Sequence, residues 1–134
     1  MAMDDRPRKT VPEGARQHRT AGPYSPVMVV DARRLVVVSG QVAVDLDGNV
    51  VGETIEEQTR ATLDNCRRQL KTAGVDFEDV FKVNVYLSDL AEWARFNAVY
   101  EGVLSKPYPV RTAVQAMLLP GYRVEIEMWA TSGN

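Results

Sequence analysis

The apolar positions of residues 109–129 fall into two alternations of period two, separated by Pro120-Gly121. In the first, Val110, Thr112, Val114, Ala116 and Leu118 share one face, and Arg111, Ala113, Gln115 and Met117 the other. In the second, Val124, Ile126, Met128 and Ala130 alternate with Arg123, Glu125, Glu127 and Trp129. The pattern predicts two paired strands with an apolar face on the core and a second face carrying an arginine, a glutamine and two carboxylates. Opposed residues of an antiparallel pair point the same way, and a two-residue loop would oppose Leu118 to Arg123 and mix the faces. The expectation is therefore an odd-numbered loop or a bulge that opposes Met117 to Arg123, Gln115 to Glu125 and Arg111 to Trp129.

Upstream, residues 27–30 and 35–39 are β-branched runs that read as a hairpin, apolar enough that both faces should be covered. Ser39-Gly40-Gln41 breaks the second run. A glycine there signals a bulge or a close approach by another group. A short strand over residues 42–44 and a turn over 45–49 follow. Thr54 and Glu57 have capping-box spacing, and Ile55, Thr59, Thr62, Leu63, Cys66, Leu70 and Ala73 recur at helical spacing as far as Gly74. Residues 80–87 predict a strand with Phe81, Val83, Val85 and Leu87 on one side. Asp89 and Glu92 open a second helix whose buried stripe is Leu90, Trp93, Phe96, Tyr100, Val103 and Leu104, with Asn97 inside it. Two helices cover only one face of such a sheet. The spare apolar face should be buried by another copy of the chain, so a homo-oligomer is expected.

Composition narrows the chemistry. The 134 residues suit one domain, with 45% hydrophobic and 25% charged residues as in ordinary globular proteins. Residues 1–19 are polar and read as a flexible N-terminal arm, with the domain over 20–134. No apolar run reaches a membrane span and no signal-peptide core is seen, so the expected location is the cytoplasm, with no membrane partner. A lone Cys66 on the apolar helix face reads as a small core residue. The net charge of −2 gives no footprint for nucleic acid. One histidine, His18, and one cysteine assemble no conventional zinc site, and no glycine-rich phosphate loop is present, so no metal or cofactor is expected. What is left is chemistry by arginine, carboxylates, hydroxyls, backbone groups and water.

Local sequence leaves three residues open between two roles. Tyr24, between Pro23 and Pro26, is either part of a rigid loop or a phenol at the rim of a pocket. Asn97 either anchors nearby backbone or reaches a ligand. Arg111 either forms a salt bridge with Glu125 or Glu127 or grips an anion.

Gly22-Pro23-Tyr24-Ser25, Ser39-Gly40-Gln41, the helix ending Ala73-Gly74, Asn97-Ala98-Val99-Tyr100, Pro109-Val110-Arg111 and Val124-Glu125-Ile126-Glu127 occur in an order and spacing that resembles the Rid family (reactive intermediate deaminases, YjgF-like) over about residues 20–131. The resemblance implies a chorismate-mutase-like α+β fold, two helices on one face of the sheet, and a homotrimer whose sheets form a central barrel with clefts between subunits. It implies hydrolysis of small 2-imino and 2-enamino acids to 2-keto acids and ammonia without a cofactor. Carried over by position, Arg111 grips the substrate carboxylate and Glu125 stands near the attacking water. Tyr24, Ser39, Asn97 and the backbone of Ala113 bind substrate. The chain departs from the family pattern at Ala113, where a cysteine is common, at Gln115, where a glutamate is usual, and in a turn one residue shorter before the last strand. Three other functions are weighed against the deaminase: a non-catalytic binder of small carboxylates, a hydrolase of a larger enamine intermediate with an open cleft beside Tyr122 and Trp129, and a ribonuclease.

Overall fold

Thr54 starts the first helix, α1 (Ile55–Thr72), through the reciprocal bonds that its spacing to Glu57 predicts. The Glu57 N–H donates to Thr54 Oγ1 at 3.1 Å, and the Thr54 N–H donates to Glu57 Oε1 at 3.1 Å. The computed structural model describes residues 8–133. Gly74, at φ +78°, supplies the left-handed residue just past the helix end. The buried side of α1 is the predicted one, except that Ala73 is exposed and Gln58 is buried. Gln58 ties together three backbone segments. Its Nε2 donates to the Gly52 carbonyl at 3.2 Å and the Gly121 carbonyl at 2.8 Å, while its Oε1 accepts from the Arg123 N–H at 2.8 Å.

The strands are β1 (Lys9–Thr10), β2 (Val29–Val30), β3 (Arg34–Gln41), β4 (Val80–Leu87), β5 (Val110–Gln115) and β6 (Val124–Ser132); the second helix is α2 (Trp93–Val103). Short 3-10 turns precede β4 and α2. The main sheet has the order β3-β6-β4-β5, in which β4 and β5 are parallel and the other pairs antiparallel.

Both predicted hairpins are corrected by this topology. β5 and β6 do not pair, because the β4-α2-β5 crossover lays β5 alongside β4, which separates it from β6. Gln115 stands opposite Leu87, Arg111 opposite Val83 and Glu125 opposite Tyr86, not the partners the alternation suggested. The turn is real, closed by the Tyr122 N–H on the Leu119 carbonyl at 3.3 Å with Gly121 at φ +91°, but it leads past β4 rather than back to β5. Upstream, Val29–Val30 pairs with Lys9–Thr10 of the expected arm instead of with β3, and Lys9 Nζ donates to the Val80 carbonyl at 2.6 Å. Residues 1–7 of that arm lie outside the described residues. The stretch over 42–44 makes only a single bridge, Val44 with Val50, around the Asp45 turn.

Register also corrects the face of β5. Val83, Val85 and Leu87 point to the helices with Val124, Ile126, Met128 and Ala130, and all seven are buried with Ile55, Leu63, Cys66, Leu70, Phe96 and Tyr100. Arg111, Ala113 and Gln115 share that face; Val110, Thr112 and Val114 share the opposite one with Lys82, Asn84 and Tyr86. A bulge at Phe81, between Val80↔Ala130 and Lys82↔Trp129, puts Val80 rather than Phe81 in the core. The other face of the sheet is open. Leu35 is 61% exposed, Val37 59% and Val114 42%.

Two outcomes test this packing. Gln58→Leu leaves the Arg123 N–H and the Gly121 carbonyl without their partner, so urea unfolding should show a loss of roughly 2–4 kcal/mol; a change within experimental error would mean that water replaces the amide. Burial pushes the Cys66 thiol up to about 12. Its thiolate is therefore scarce in the folded state, and a thiol reagent at about pH 8 should label Cys66 only after unfolding.

Candidate active site

Arg111 enters the helix side of the sheet from the edge strand β5 and ends among four aromatic rings. Its guanidinium carbon lies 5.3 Å from the ring centre of Tyr24, 5.1 Å from Trp93, 5.7 Å from Phe96 and 4.8 Å from Tyr100. Helix α2 supplies three of these rings at helical spacing. The fourth comes from the segment over 22–25, whose path is fixed beside β5: the Ser25 N–H donates to the Pro109 carbonyl at 3.2 Å, Ser25 Oγ donates to the Tyr108 carbonyl, and Ser25 bridges Val110 in parallel fashion. Gly22 belongs to this cage. A β-carbon there would come within 3.3 Å of Arg111 Nη2 and 3.4 Å of Asn97 Nδ2, so the small residue leaves room for both.

Neither terminal nitrogen of Arg111 has a hydrogen-bond partner among the described residues, though both are buried. The same holds for Asn97 Oδ1 and the Tyr100 hydroxyl beside them. Burial lowers the guanidinium pKa and the facing phenols of Tyr100 and Tyr24 oppose that shift; the group still carries its charge at neutral pH. The rings offset part of the desolvation by cation–π attraction, about 0.5–2 kcal/mol each. They offer the N–H groups no acceptor. The arrangement is that of an anion site, and the planar fork suits a carboxylate. Of the two readings open for Arg111, the salt bridge is excluded among the described residues. Glu127 is engaged elsewhere, accepting from Asn84 Nδ2 at 2.9 Å and the Tyr86 hydroxyl at 3.0 Å. Among the described residues Asn97 anchors no backbone group through its side-chain oxygen. A cleft of about 450 Å³ opens beside Arg111, lined also by Gln17, Tyr24, Ser25 and Thr112.

Glu125 and Ser39 lie elsewhere. Glu125 alternates with the buried Val124 and Ile126, so its carboxylate stands on the open face of the sheet, opposite to Arg111. Arg111 is level with Val83 and Glu125 with Tyr86, further along β4. One chain therefore does not bring the two together, which corrects the shared polar face read from the alternation. The carboxylate rests over Gly40: a β-carbon there would fall 2.2 Å from Glu125 Oε2. Both signals expected of Gly40 are present, since β3 carries an extra residue between Val38↔Met128 and Gln41↔Ile126. Ser39, exposed beside it, accepts from Gln41 Nε2 through its carbonyl at 3.1 Å and its Oγ at 3.4 Å. Glu125 has no hydrogen-bond or ion-pair partner among the described residues. Met117 and Leu119 flank it across a second cleft, of about 490 Å³.

Ala113 packs half-buried against the core. Gln115 turns away from the site, its Oε1 accepting the Leu90 N–H at 2.9 Å at the start of the turn into α2. Arg123 pairs with the buried Glu92 at 3.2 Å and donates to the Glu53 carbonyl at 2.7 Å, a structural role. Sequence reading missed the aromatic cage as a unit. Trp93, Phe96 and Tyr100 read as core stripe, and only an arginine facing that stripe would have marked them as anything more.

Residues 15–132 match the family model described as Endoribonuclease L-PSP. The chain belongs to this family, that of the YjgF/RidA (Rid) proteins. It is similar to the mitochondrial protein mmf2 of Schizosaccharomyces pombe, with 40% identity over 121 residues that span 87% of this chain and 94% of the relative. It is 39% identical over 114 residues to the 2-iminobutanoate/2-iminopropanoate deaminase of Bos taurus, covering 84% of this chain and 82% of that one. Among solved structures, a conserved Rid-family protein of unknown function from Yersinia pestis superposes with a TM-score of 0.71 and 28% identity, over 93% of this chain and 99% of the other. The expected α+β, YjgF-like fold is thus the observed one. Among the described residues no helix of this Rid protein is long and apolar enough to cross a membrane.

The contact at Gly40 gives a prediction for this family member. Gly40→Ala must displace the Glu125 carboxylate, because the new methyl group and Oε2 cannot share the space. The variant should keep its circular dichroism spectrum and thermal midpoint within a few degrees, while any activity that depends on Glu125 falls by about tenfold or more.

Proposed function

We propose that this protein is a cofactor-independent hydrolase of small 2-imino acids and their enamine tautomers, yielding 2-keto acids and ammonia, at clefts formed between three copies of the chain. The observation that carries the reading is the buried guanidinium of Arg111, caged by aromatic rings and without an anionic partner among the described residues. The name carried by the bovine relative supports it.

An imine carbon is already electrophilic, so the reaction needs orientation, a water and a proton carrier. Arg111 holds the substrate carboxylate through paired N–H donors, with Tyr24 in the wall of the same cleft and Asn97 and the Ala113 backbone as the further contacts that family position suggests. Glu125 takes a proton from the attacking water as the C–O bond forms and the C=N electron pair moves to nitrogen. Glu125 hands that proton to the nitrogen, giving the neutral carbinolamine; in its collapse the hydroxyl proton passes by way of Glu125 to nitrogen as the C–N bond breaks, so ammonia leaves and the C=O bond of the 2-keto acid forms. Because Arg111 and Glu125 occupy opposite faces in one chain, the working pair comes from two copies, Arg111 of one and Glu125 with Ser39 of the next. The open sheet face, with Leu35, Val37 and Val114, is the surface such an assembly would bury. Cytoplasmic residence fits the single free thiol.

Wild-type protein should accelerate ammonia release from 2-aminoacrylate and 2-iminobutanoate generated in situ. Arg111→Lys should lose about 100-fold in kcat/KM, since a point charge does not reproduce the bidentate fork. Glu125→Gln should lower kcat by about 10²–10⁴. A wild type inactive on several such imines would sink the proposal, and would point to carboxylate binding alone if 2-ketobutyrate still bound. Native mass should be about three times the 14.9 kDa of the chain. When the inactive Arg111→Ala and Glu125→Gln proteins are unfolded together and refolded, roughly a quarter of the sites should hold both native residues and activity should return. If each site instead uses one chain, the mixture stays dead.

A further inference from the structure

The loop between β5 and β6 is firmly anchored at both ends and yet offers large apolar side chains to water. At its start the Ala116 N–H donates to the Leu87 carbonyl at 2.9 Å. At its end the Pro120-Gly121 turn is closed on Leu119 at 3.3 Å, and Gln58 holds the Gly121 carbonyl at 2.8 Å and the Arg123 N–H at 2.8 Å. Between these anchors Met117 is 99% exposed and Leu119 74%. Met117 and Leu119 stand two positions apart on this pinned backbone, so the loop presents a pair of large apolar side chains together. They do not face bare surface. With Ala116, Leu118 and Tyr86 they wall the cleft of about 490 Å³ whose remaining lining residue is Glu125. No arginine or lysine lines this cleft, so it offers no site for a second substrate carboxylate.

We propose that Met117 and Leu119 form the side-chain subsite of this enzyme, and that its preferred substrates are 2-imino acids with leucine-sized apolar side chains rather than two- or three-carbon ones. The inference rests on the hydrolase reading above. Glu125 marks where the reacting carbon must come, because it handles the attacking water. The substituent on that carbon then lies within reach of the adjoining wall, which is aliphatic and thioether apart from the Tyr86 side chain. Size agrees with chemistry: clefts of roughly 300–1,000 Å³ take drug-sized ligands, far more than a four-carbon acid fills. Methionine suits such a wall because its unbranched, polarisable chain adapts to branched and linear groups alike.

The test compares imines generated in situ by an L-amino-acid oxidase from leucine and methionine with 2-iminobutanoate, in wild type, Met117→Ala and Leu119→Gln. Wild-type kcat/KM for the leucine-derived imine should exceed that for 2-iminobutanoate by about tenfold or more, the worth of a few methylenes in an apolar pocket. Met117→Ala should remove most of that advantage, lowering kcat/KM for the leucine-derived imine by several-fold more than for 2-iminobutanoate. Leu119→Gln should do the same and should spare methionine- and leucine-derived imines equally little. Both residues are exposed, so folding is not at stake, and a melting curve confirms it. If wild type prefers 2-iminobutanoate, or if the variants slow all three imines alike, the subsite is overturned and the hydrolase reading stands. If no imine is hydrolysed, the hydrolase reading fails and takes the subsite with it.

Discussion

The constraint on which the site depends is the burial of the Arg111 guanidinium without a counter-charge among the described residues. A cation removed from water is costly, and the four rings around it return only part of what hydration gave. The surrounding sequence is arranged so that no internal carboxylate reaches it. Glu127 is held on the other face by Asn84 and Tyr86, and Glu92 is held by Arg123 and Arg95. Gly22 keeps the entry to the guanidinium free of a side chain. The segment over 22–25 is fixed to β5 so that the Tyr24 ring closes the cage. Each of these features makes little sense for a structural arginine, which would be paired. Together they leave a buried positive fork without an internal acceptor among the described residues, which is what the proposed carboxylate clamp requires.

Glu125 is handled by the opposite logic. It is half-buried, close to a glycine whose missing side chain makes room for it, and no cation neutralises it among the described residues. Two unpaired groups of opposite sign, on opposite faces of one sheet, do not annihilate each other within a chain. That separation leaves each without the other as a partner in the single chain. In the proposed assembly the substrate carboxylate answers the arginine and the imine answers the carboxylate, so the ligand's own charge pattern matches the split.

How much of this was legible in the sequence varied with the range of the interaction. Features set by near neighbours were readable: the Thr54–Glu57 cap, the burial of Cys66, the bulge and close approach at Gly40. Strand pairing was not. Alternation reports which residues share a face, not which strand lies alongside. It gave no hint that β4 would separate β5 from β6. The face of β5 was misread for a related reason. Val110 and Val114 looked like the core side, yet the core side carries Arg111 and Ala113, because the aromatic residues of α2 accept a guanidinium where an aliphatic stripe would not. Gln58 escaped notice because a buried amide that bonds three distant backbone segments leaves no local pattern. Arg111 and Glu125 could be named from motif position, but their placement on opposite faces needed the register.

The exposed features of the chain share a single resolution. Leu35, Val37 and Val114 on the open sheet face, Met117 and Leu119 on the anchored loop, and Arg111 and Glu125 without partners among the described residues are all left unmatched in a single chain. A common cause is the simpler account. Association through the sheet face would remove the apolar area of Leu35, Val37 and Val114 from water. On this view the fold of one chain is half of a binding site drawn twice, once for each sign of charge.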